Sequence, residues 1–167
     1  MKRICHYLCP SRALHAFGRD SSGQALVETT IMMPFLLLLC GGVFEFGSLF
    51  YQKMLIETGV RDAARYMARC SIASCSETIA QNIAVHGNLD GTGDERVSGW
   101  ATGDVTITYV DFVNDDGSGN KLYRGGSTIQ VVRVTTTYTY TGTGLLGFLG
   151  FAGIDFTAQH EQRVVGW

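Results

Sequence analysis

The chain has 167 residues, of which 46% are hydrophobic and 17% charged, and its formal net charge is −2 at pH 7. This length leaves room for one ordinary domain and a membrane anchor. The charge is uneven: residues 1–23 contain four basic residues and one acidic residue, whereas the remainder contains nine basic and fourteen acidic residues. An acidic main part argues against nucleic acid as a partner.

A long apolar segment follows the basic leader. From Thr29 to Phe44 no residue is charged, and the apolar character continues past Glu45 to Tyr51. As a helix, Thr29 to Phe50 extends roughly 33 Å, enough to cross the hydrocarbon layer. Basic residues before a span favour a cytoplasmic N-terminus. We therefore expect a single-pass protein of the inner (cytoplasmic) membrane, with its C-terminal head periplasmic or extracellular and with membrane lipid as one partner.

The leader lacks the apolar core of an ordinary secretory signal, because charged and polar residues interrupt it: His6, Arg12, His15, Arg19 and Asp20. A signal peptide whose core is the later apolar run would be cut near Cys40-Gly41-Gly42 or Gly47. That alternative stays open.

The junction at residue 23 has the residue types that a membrane-embedded peptidase needs. Gly23 has no Cβ, so its backbone can lie extended in a narrow groove, and cleavage after it makes Gln24 the new N-terminus. Glu28 is then the fifth residue, and a carboxylate at a membrane edge is costly unless it is solvated or paired. Its natural partner is the new amino group of a neighbouring subunit; alternatively, Glu28 is a plain helix residue at the headgroups. Pro34 is expected to kink or loosen the helix.

Beyond the span, apolar residues at helical spacing predict an amphipathic stalk: Ile56, Val60, Ala63, Ala64, Met67 and Ile72. On its other face we expect an ion pair between Glu57 and Arg61. Arg61, Arg65 and Arg69 form a row that fits a solvated face, with anion binding as the alternative.

Two of the five cysteines, Cys70 and Cys75, follow the stalk and would face an oxidising compartment, where pairing is expected. The alternative is two free thiols. In the leader, four residues superficially resemble a zinc set: Cys5, His6, Cys9 and His15. Their spacing is irregular, so we predict no metal and no cofactor.

The distal part predicts a small α+β head. Ser74 and Glu77 match a capping box, with Ser74 as the N-cap of a short helix that ends at Gly87. Residues 87–103 resemble a loop. Period-two alternation then predicts three strands of an antiparallel sheet: Val105 to Tyr109, Thr128 to Tyr140 and Ile154 to Val165.

Two distal loops carry alternatives. Residues 114–120 suggest a hairpin connection, although Asn114, Asp116, Ser118 and Gly119 also mimic the start of a calcium loop that would need a carboxylate at Gly125. The apolar, glycine-rich residues 141–153 are either a contact surface for another subunit or the outer leaflet, or a cover that completes the core.

Four blocks in order resemble the TadE-like family of minor pseudopilins in tight-adherence (type IVb, Flp-type) pilus systems: Gly23-Gln24-Ala25-Leu26-Val27-Glu28, Pro34-Phe35-Leu36-Leu37-Leu38-Leu39, Gly42-Val43-Phe44-Glu45-Phe46-Gly47 and Arg61-Asp62-Ala63-Ala64-Arg65-Tyr66. The resemblance implies that a prepilin peptidase cuts between Gly23 and Gln24. It also implies that other pseudopilins and inner-membrane pilus assembly proteins are partners, and that the system serves cell adhesion. The sequence differs at Thr29, where processed members often carry an aromatic residue.

The resulting prediction is a cleaved leader at 1–23, a transmembrane helix with its amphipathic extension at 24–70 and an α+β head at 71–167. The predicted function is that of a minor pseudopilin or pilus assembly protein. The alternative is a signal-anchored binding module without a filament. An enzyme is not expected, because the distal acid–base residues His86, His160 and Glu161 occur in unrelated segments.

Overall fold

The computed structural model describes residues 21–70, 75–142, 144–150 and 153–165. These residues form α1 (Ser21–Arg69), α2 (Glu77–His86), β1 (Val105–Val113), β2 (Thr128–Tyr140), α3 (Leu145–Phe148) and β3 (Ile154–Arg163). The chain divides into two compact units between Val43 and Phe44. The second unit therefore contains the C-terminal half of α1 together with the sheet, whereas the sequence prediction grouped that half with the span. Of the predicted leader, 1–23, only residues 21–23 belong to the described part of the chain.

Helix α1 has one long apolar surface. Its portion Gly23–Arg69, 47 residues, is the one described helix long and apolar enough to cross a membrane. Large apolar side chains remain exposed along its first part, as in Leu26, Ile31, Leu37 and Phe44. A helix that is apolar on all sides and unburied within its own chain has the surface of a membrane span.

The C-terminal half of α1 supplies the core of the head. Of the six residues predicted to face inward, five are buried: Ile56, Val60, Ala63, Ala64 and Met67. Ile72 lies outside the described residues. Their spacing puts them on one stripe of the helix, and this stripe packs with residues of α2 and the sheet in a single apolar cluster.

Helix α2 is capped at both ends, but not by the serine that the sequence suggested. Ser76 is the N-cap, and its side chain accepts a hydrogen bond from the Ile79 amide at 3.4 Å. The assignment of Ser74 as the cap is wrong, because the helix begins at Glu77 and the cap must directly precede it; Ser74 itself lies outside the described residues. Gly87 ends the helix in the left-handed conformation (φ 76°), as predicted.

The three strands form an antiparallel sheet in the order β1-β2-β3. Alternation along β2 puts Val132, Val134 and Thr136 on the buried face, which confirms the period-two prediction. Trp100, from the loop after α2, is fully buried against this face, and its Nε1–H donates to Thr136 Oγ1 at 3.0 Å. The loop prediction for 87–103 needs one change: Thr102–Asp104 form a 3-10 turn that leads into β1.

A close approach between α1 and this loop depends on Gly59. A Cβ on Gly59 would overlap the carbonyl oxygen of Ala84 and would lie 2.8 Å from Trp100 Cη2. The absence of a side chain on α1 therefore lets α2 and the indole pack directly against the helix backbone.

The connection between β1 and β2 uses its polar side chains for its own folding. Asn114 is buried; its Nδ2 donates to the carbonyls of Tyr123 and Gly126 at 2.8 and 2.9 Å, and its Oδ1 accepts from the Tyr123 amide. Asp116 accepts from the amides of Ser118 and Asn120; the bond from Ser118 is the main reason that its pKa is lowered. These contacts are those of a turn. Within the described ranges, no group of three or more His, Cys, Asp or Glu side chains is suited to a metal ion.

Candidate functional site

The candidate site is the apolar part of helix α1 with two acidic residues, Glu28 near the N-terminus of the helix and Glu45 near its middle. Gly23 and Gln24 lie in the first turn of the helix, and a Cβ on Gly23 would meet nothing within 4 Å. Glu28 lies about one turn further along, with an exposed side chain. The predicted junction at Gly23 and the predicted assembly acid Glu28 are therefore exposed, and an extended backbone at Gly23 would require the first helical turn to unwind.

The two threonines that follow Glu28 have their hydroxyl groups hydrogen-bonded within the helix. The hydroxyls of Thr29 and Thr30 donate to the carbonyls of Ala25 and Leu26 at 2.8 and 2.7 Å. Each hydroxyl thus has an acceptor within its own helix, so it need not find one in lipid.

Pro34 lies inside α1, and the helix continues through it to Arg69. Proline removes one backbone donor from the helix. A kink at this residue stays a prediction.

The second acid, Glu45, is a site residue that the sequence prediction missed. It is 2% exposed, and the Tyr140 hydroxyl lies 3.3 Å from both its Oε1 and its backbone carbonyl oxygen. Gly142 contacts it as well, since a Cβ there would lie 2.5 Å from Glu45 Oε1. A carboxylate between two phenylalanines in an apolar run was the available signal, but only the fold reveals that the end of β2 covers it.

The end of α1 is tied to the chain in two ways. Cys70 and Cys75 form a disulfide with a Cα–Cα distance of 5.6 Å. The amide of Val165 donates to the carbonyl of Ala68 at 2.8 Å, so the segment after β3 satisfies a carbonyl at the helix C-terminus. Of the remaining cysteines, Cys40 is free and exposed, and the cysteine–histidine set of the leader lies outside the described residues.

The charged face of the stalk is only partly as predicted. Arg61, Arg65 and Arg69 are exposed, as a solvated face requires. The expected pair between Glu57 and Arg61 is wrong: Glu57 pairs with Lys53, at 3.8 Å. Such an exposed helical pair contributes little.

Asp62 belongs to the packing of the head and not to the solvated face alone. It pairs with Arg96 of the loop after α2, with a distance of 2.9 Å between Asp62 Oδ2 and the Arg96 guanidinium. The sequence prediction missed Arg96 because the two residues are 34 positions apart.

The residues considered for acid–base chemistry do not form one cluster. His86 Nδ1 lies 3.2 Å from the Gly93 carbonyl oxygen at the end of α2. Glu161 accepts from Arg133 Nε at 2.7 Å across the β2–β3 pair, and His160 lies beside it on β3. His86 and the β3 residues therefore lie in different elements, each in local contacts.

The described side chains of the apolar loop 141–153 differ in their exposure. Leu146 of α3 is buried, whereas Phe148 and Leu149 are 82% and 49% exposed. One side of this segment therefore completes the head while another presents apolar surface. Phe151 lies outside the described residues.

The described residues therefore combine an α+β head with a helix that is long and apolar enough to span a membrane, and the continuation of this helix lies in the core of the head. A family model described as TadE-like protein matches residues 23–65. The match covers the junction, both acids and the first part of the stalk, and it supports the resemblance carried by the four sequence blocks. No curated protein and no solved structure matches the chain.

Proposed function

We propose that this chain is a minor pseudopilin or assembly protein of a tight-adherence pilus and secretion system. The observation that carries the proposal is the match of residues 23–65 to the TadE-like family. It begins at the glycine of the junction and includes the whole exposed apolar part of α1. The proposed site is the inner membrane, with the N-terminus cytoplasmic, and the proposed partners are a prepilin peptidase, other pseudopilins and inner-membrane assembly proteins.

The proposed maturation is hydrolysis of the peptide bond between Gly23 and Gln24. It removes the basic leader and leaves an ammonium group on Gln24, four residues before Glu28. The exposed Glu28 carboxylate has room for the ammonium of a neighbouring subunit. In the low-dielectric border of a membrane, such a pair offsets the cost of placing either charge there alone.

Cleavage is tested by mass spectrometry of the chain expressed with and without the peptidase. The expected product begins at Gln24, and Gly23→Leu blocks its formation because the added side chain fills the groove. Gly47→Leu is the matched control, since a Cβ at either glycine meets nothing within 4 Å. Recovery of the intact leader in functional protein, or cleavage beyond Cys40, overturns the proposal.

The assembly role of the acid is tested separately. Glu28→Gln is expected to leave cleavage intact and to reduce pilus formation, whereas Glu57→Gln, on an exposed helical glutamate, serves as the control. Full function of the Glu28→Gln protein would instead favour a signal-anchored binding module that needs no filament.

A further inference from the structure

A groove separates the charged side of helix α1 from strand β3, and we call it the α1–β3 groove. One cavity, of about 240 Å³, lies between residues 53–61 of α1 and residues 157–160 of β3. A second cavity, of about 460 Å³, lies between residues 65–69 of α1 and residues 162–165. The two cavities follow one another along both walls. All of these residues belong to the compact unit that begins at Phe44, so the groove is a feature of the head alone.

The two walls of the groove match in length. Residues 53–69 of a helix rise about 24 Å, and residues 157–165 of an extended chain span about 26 Å. The walls meet at one end, where the Val165 amide donates to the Ala68 carbonyl at 2.8 Å. A groove of this length has room for about seven residues of an extended peptide.

The backbone of β3 has hydrogen-bonding groups on its free edge. Among the described residues, β3 pairs with β2 alone. The Val164 amide donates to the Gln130 carbonyl at 2.9 Å. Bonding alternates along an antiparallel strand, so the even-numbered residues of β3 bond to β2. The amides and carbonyls of the odd-numbered residues Thr157, Gln159 and Glu161 therefore point to the free edge.

This free edge lies beside α1. Val165 continues the odd-numbered series, and its amide bonds to Ala68 of the helix. The first cavity leads to the same conclusion, because Thr157 and Ala158 both line it although their side chains lie on opposite faces of the sheet. A cavity that is lined from both faces runs along the edge of the strand, where an added strand would bind.

The helix wall of the groove is positively charged. It carries Lys53, Arg61, Arg65 and Arg69, with Glu57 as its one acid among the lining residues. Lys53 pairs with Glu57 at 3.8 Å, whereas the three arginines form no ion pair with another described residue. Guanidinium groups bind carboxylates by two parallel hydrogen bonds. This wall therefore favours a ligand that carries carboxylates.

We infer that the α1–β3 groove binds an acidic peptide segment of a partner protein, which adds to the sheet as a fourth strand beside β3. The free edge selects an extended backbone, and the unpaired arginines select acidic side chains. Glu161 of β3 does not oppose such a ligand, because its carboxylate already accepts from Arg133 Nε at 2.7 Å. The inference is independent of the proposed function, since the groove needs neither cleavage of the leader nor a pilus.

The test measures the binding of rhodamine-labelled peptides of seven residues to the full chain in a non-ionic detergent, by fluorescence anisotropy. The first peptide alternates glutamate with valine, so that its carboxylates share one face of the strand. The second has lysine in place of glutamate. The third has the sequence of the first, but all its amides are N-methylated and cannot donate to β3. We expect the first peptide to bind at least tenfold more tightly than either control.

Two matched double variants test the charged wall. Arg65→Gln with Arg69→Gln should weaken binding of the glutamate peptide at least about fivefold. Lys121→Gln with Arg124→Gln removes the same charge from exposed residues of the connection between β1 and β2, and it should leave the Kd unchanged. Equal Kd values for the two double variants would contradict the assignment of the site.

Hydrogen exchange tests the strand edge without any substitution. The glutamate peptide should slow exchange of the amides of Thr157, Gln159 and Glu161 several-fold and should leave β1, the other edge strand, unchanged. Gln159→Pro removes one of the outward amides at a position where an edge strand tolerates proline, and it should abolish binding. Protection of β1 in place of β3 overturns the inference.

The peptide controls decide the remaining cases. Equal binding of the glutamate peptide and its N-methylated form means that the arginines attract anions without strand addition, and the inference fails. Equal binding of the lysine peptide rules out an acidic partner. If none of the three peptides binds, the groove is closed to an added strand and the inference is wrong.

Discussion

Gly59→Ala tests whether the head depends on direct contact between the α1 backbone and the loop that carries Trp100. In an unhindered helix, glycine to alanine stabilises by about 1 kcal/mol. Here the new Cβ would overlap the Ala84 carbonyl oxygen and would lie 2.8 Å from Trp100 Cη2. Overpacking of this kind costs about 1–3 kcal/mol, and we expect the upper end because one neighbour is backbone and the other is a fully buried indole.

Gly47→Ala separates the overlap from the helix propensity. Gly47 lies in the same helix, and a Cβ there meets nothing within 4 Å. The difference between the two variants therefore measures the overlap alone. For about 3 kcal/mol, a head of this size should show melting temperatures that differ by on the order of 15 °C.

The assay is thermal unfolding in detergent, followed by near-ultraviolet circular dichroism, which senses the packing of the aromatic core. We expect Gly47→Ala to melt at or above the parent temperature and Gly59→Ala well below it. Equal melting of the two variants would refute the argument that Gly59 is required by a close approach.

Three more substitutions test other contacts of the head. Thr136→Val removes the acceptor of the buried Trp100 Nε1–H and should lower the free energy of unfolding, measured in denaturant, by about 1–3 kcal/mol. The exposed control Thr137→Val should change it by less than about 0.5 kcal/mol. Equal changes in the two variants would contradict the role of Thr136 as a stabilising acceptor. Cys70→Ser opens the disulfide and should cost about 2 kcal/mol, whereas reductant should destabilise the parent and leave the variant unchanged. Burial, and to a smaller extent nearby anionic groups, raise the pKa of Tyr138 above 10.0. The contribution of Tyr138 to the stability of the fold is therefore complete below pH 10 and is lost as the pH rises through the folded-state pKa. Tyr138→Phe should therefore flatten the alkaline fall of stability, and an unchanged slope would contradict this assignment.

Local patterns were sufficient to predict most of the elements. The alternation of Thr128 to Tyr140 gave β2 with its observed bounds, and the helical spacing of Ile56 to Met67 gave the buried face of the stalk. These predictions succeeded because one-sided burial imposes a period on the sequence. Gly87 is a similar case, since a left-handed C-cap has a strong residue preference.

Contacts between distant residues could not be predicted in the same way. Asp62 and Arg96 are 34 positions apart, and Glu45 and Tyr140 are 95 apart; nothing local in the sequence pairs them. The prediction of the N-cap of α2 failed for a different reason. Serine is a good N-cap residue at either position 74 or 76, and only the observed helix start at Glu77 selects Ser76.

The burial of Ile56, Val60 and Met67 has a practical consequence for anyone who wishes to produce a water-soluble fragment. A fragment that starts at Cys70 would lack the helix against which the sheet packs. The remaining chain would have lost a large part of its apolar core. A fragment that starts at Phe44 keeps the contact between Glu45 and Tyr140, but it also keeps exposed phenylalanines at its N-terminus. A soluble fragment is therefore better obtained by replacing the exposed apolar residues at the start of this helix segment with polar ones than by removing the segment.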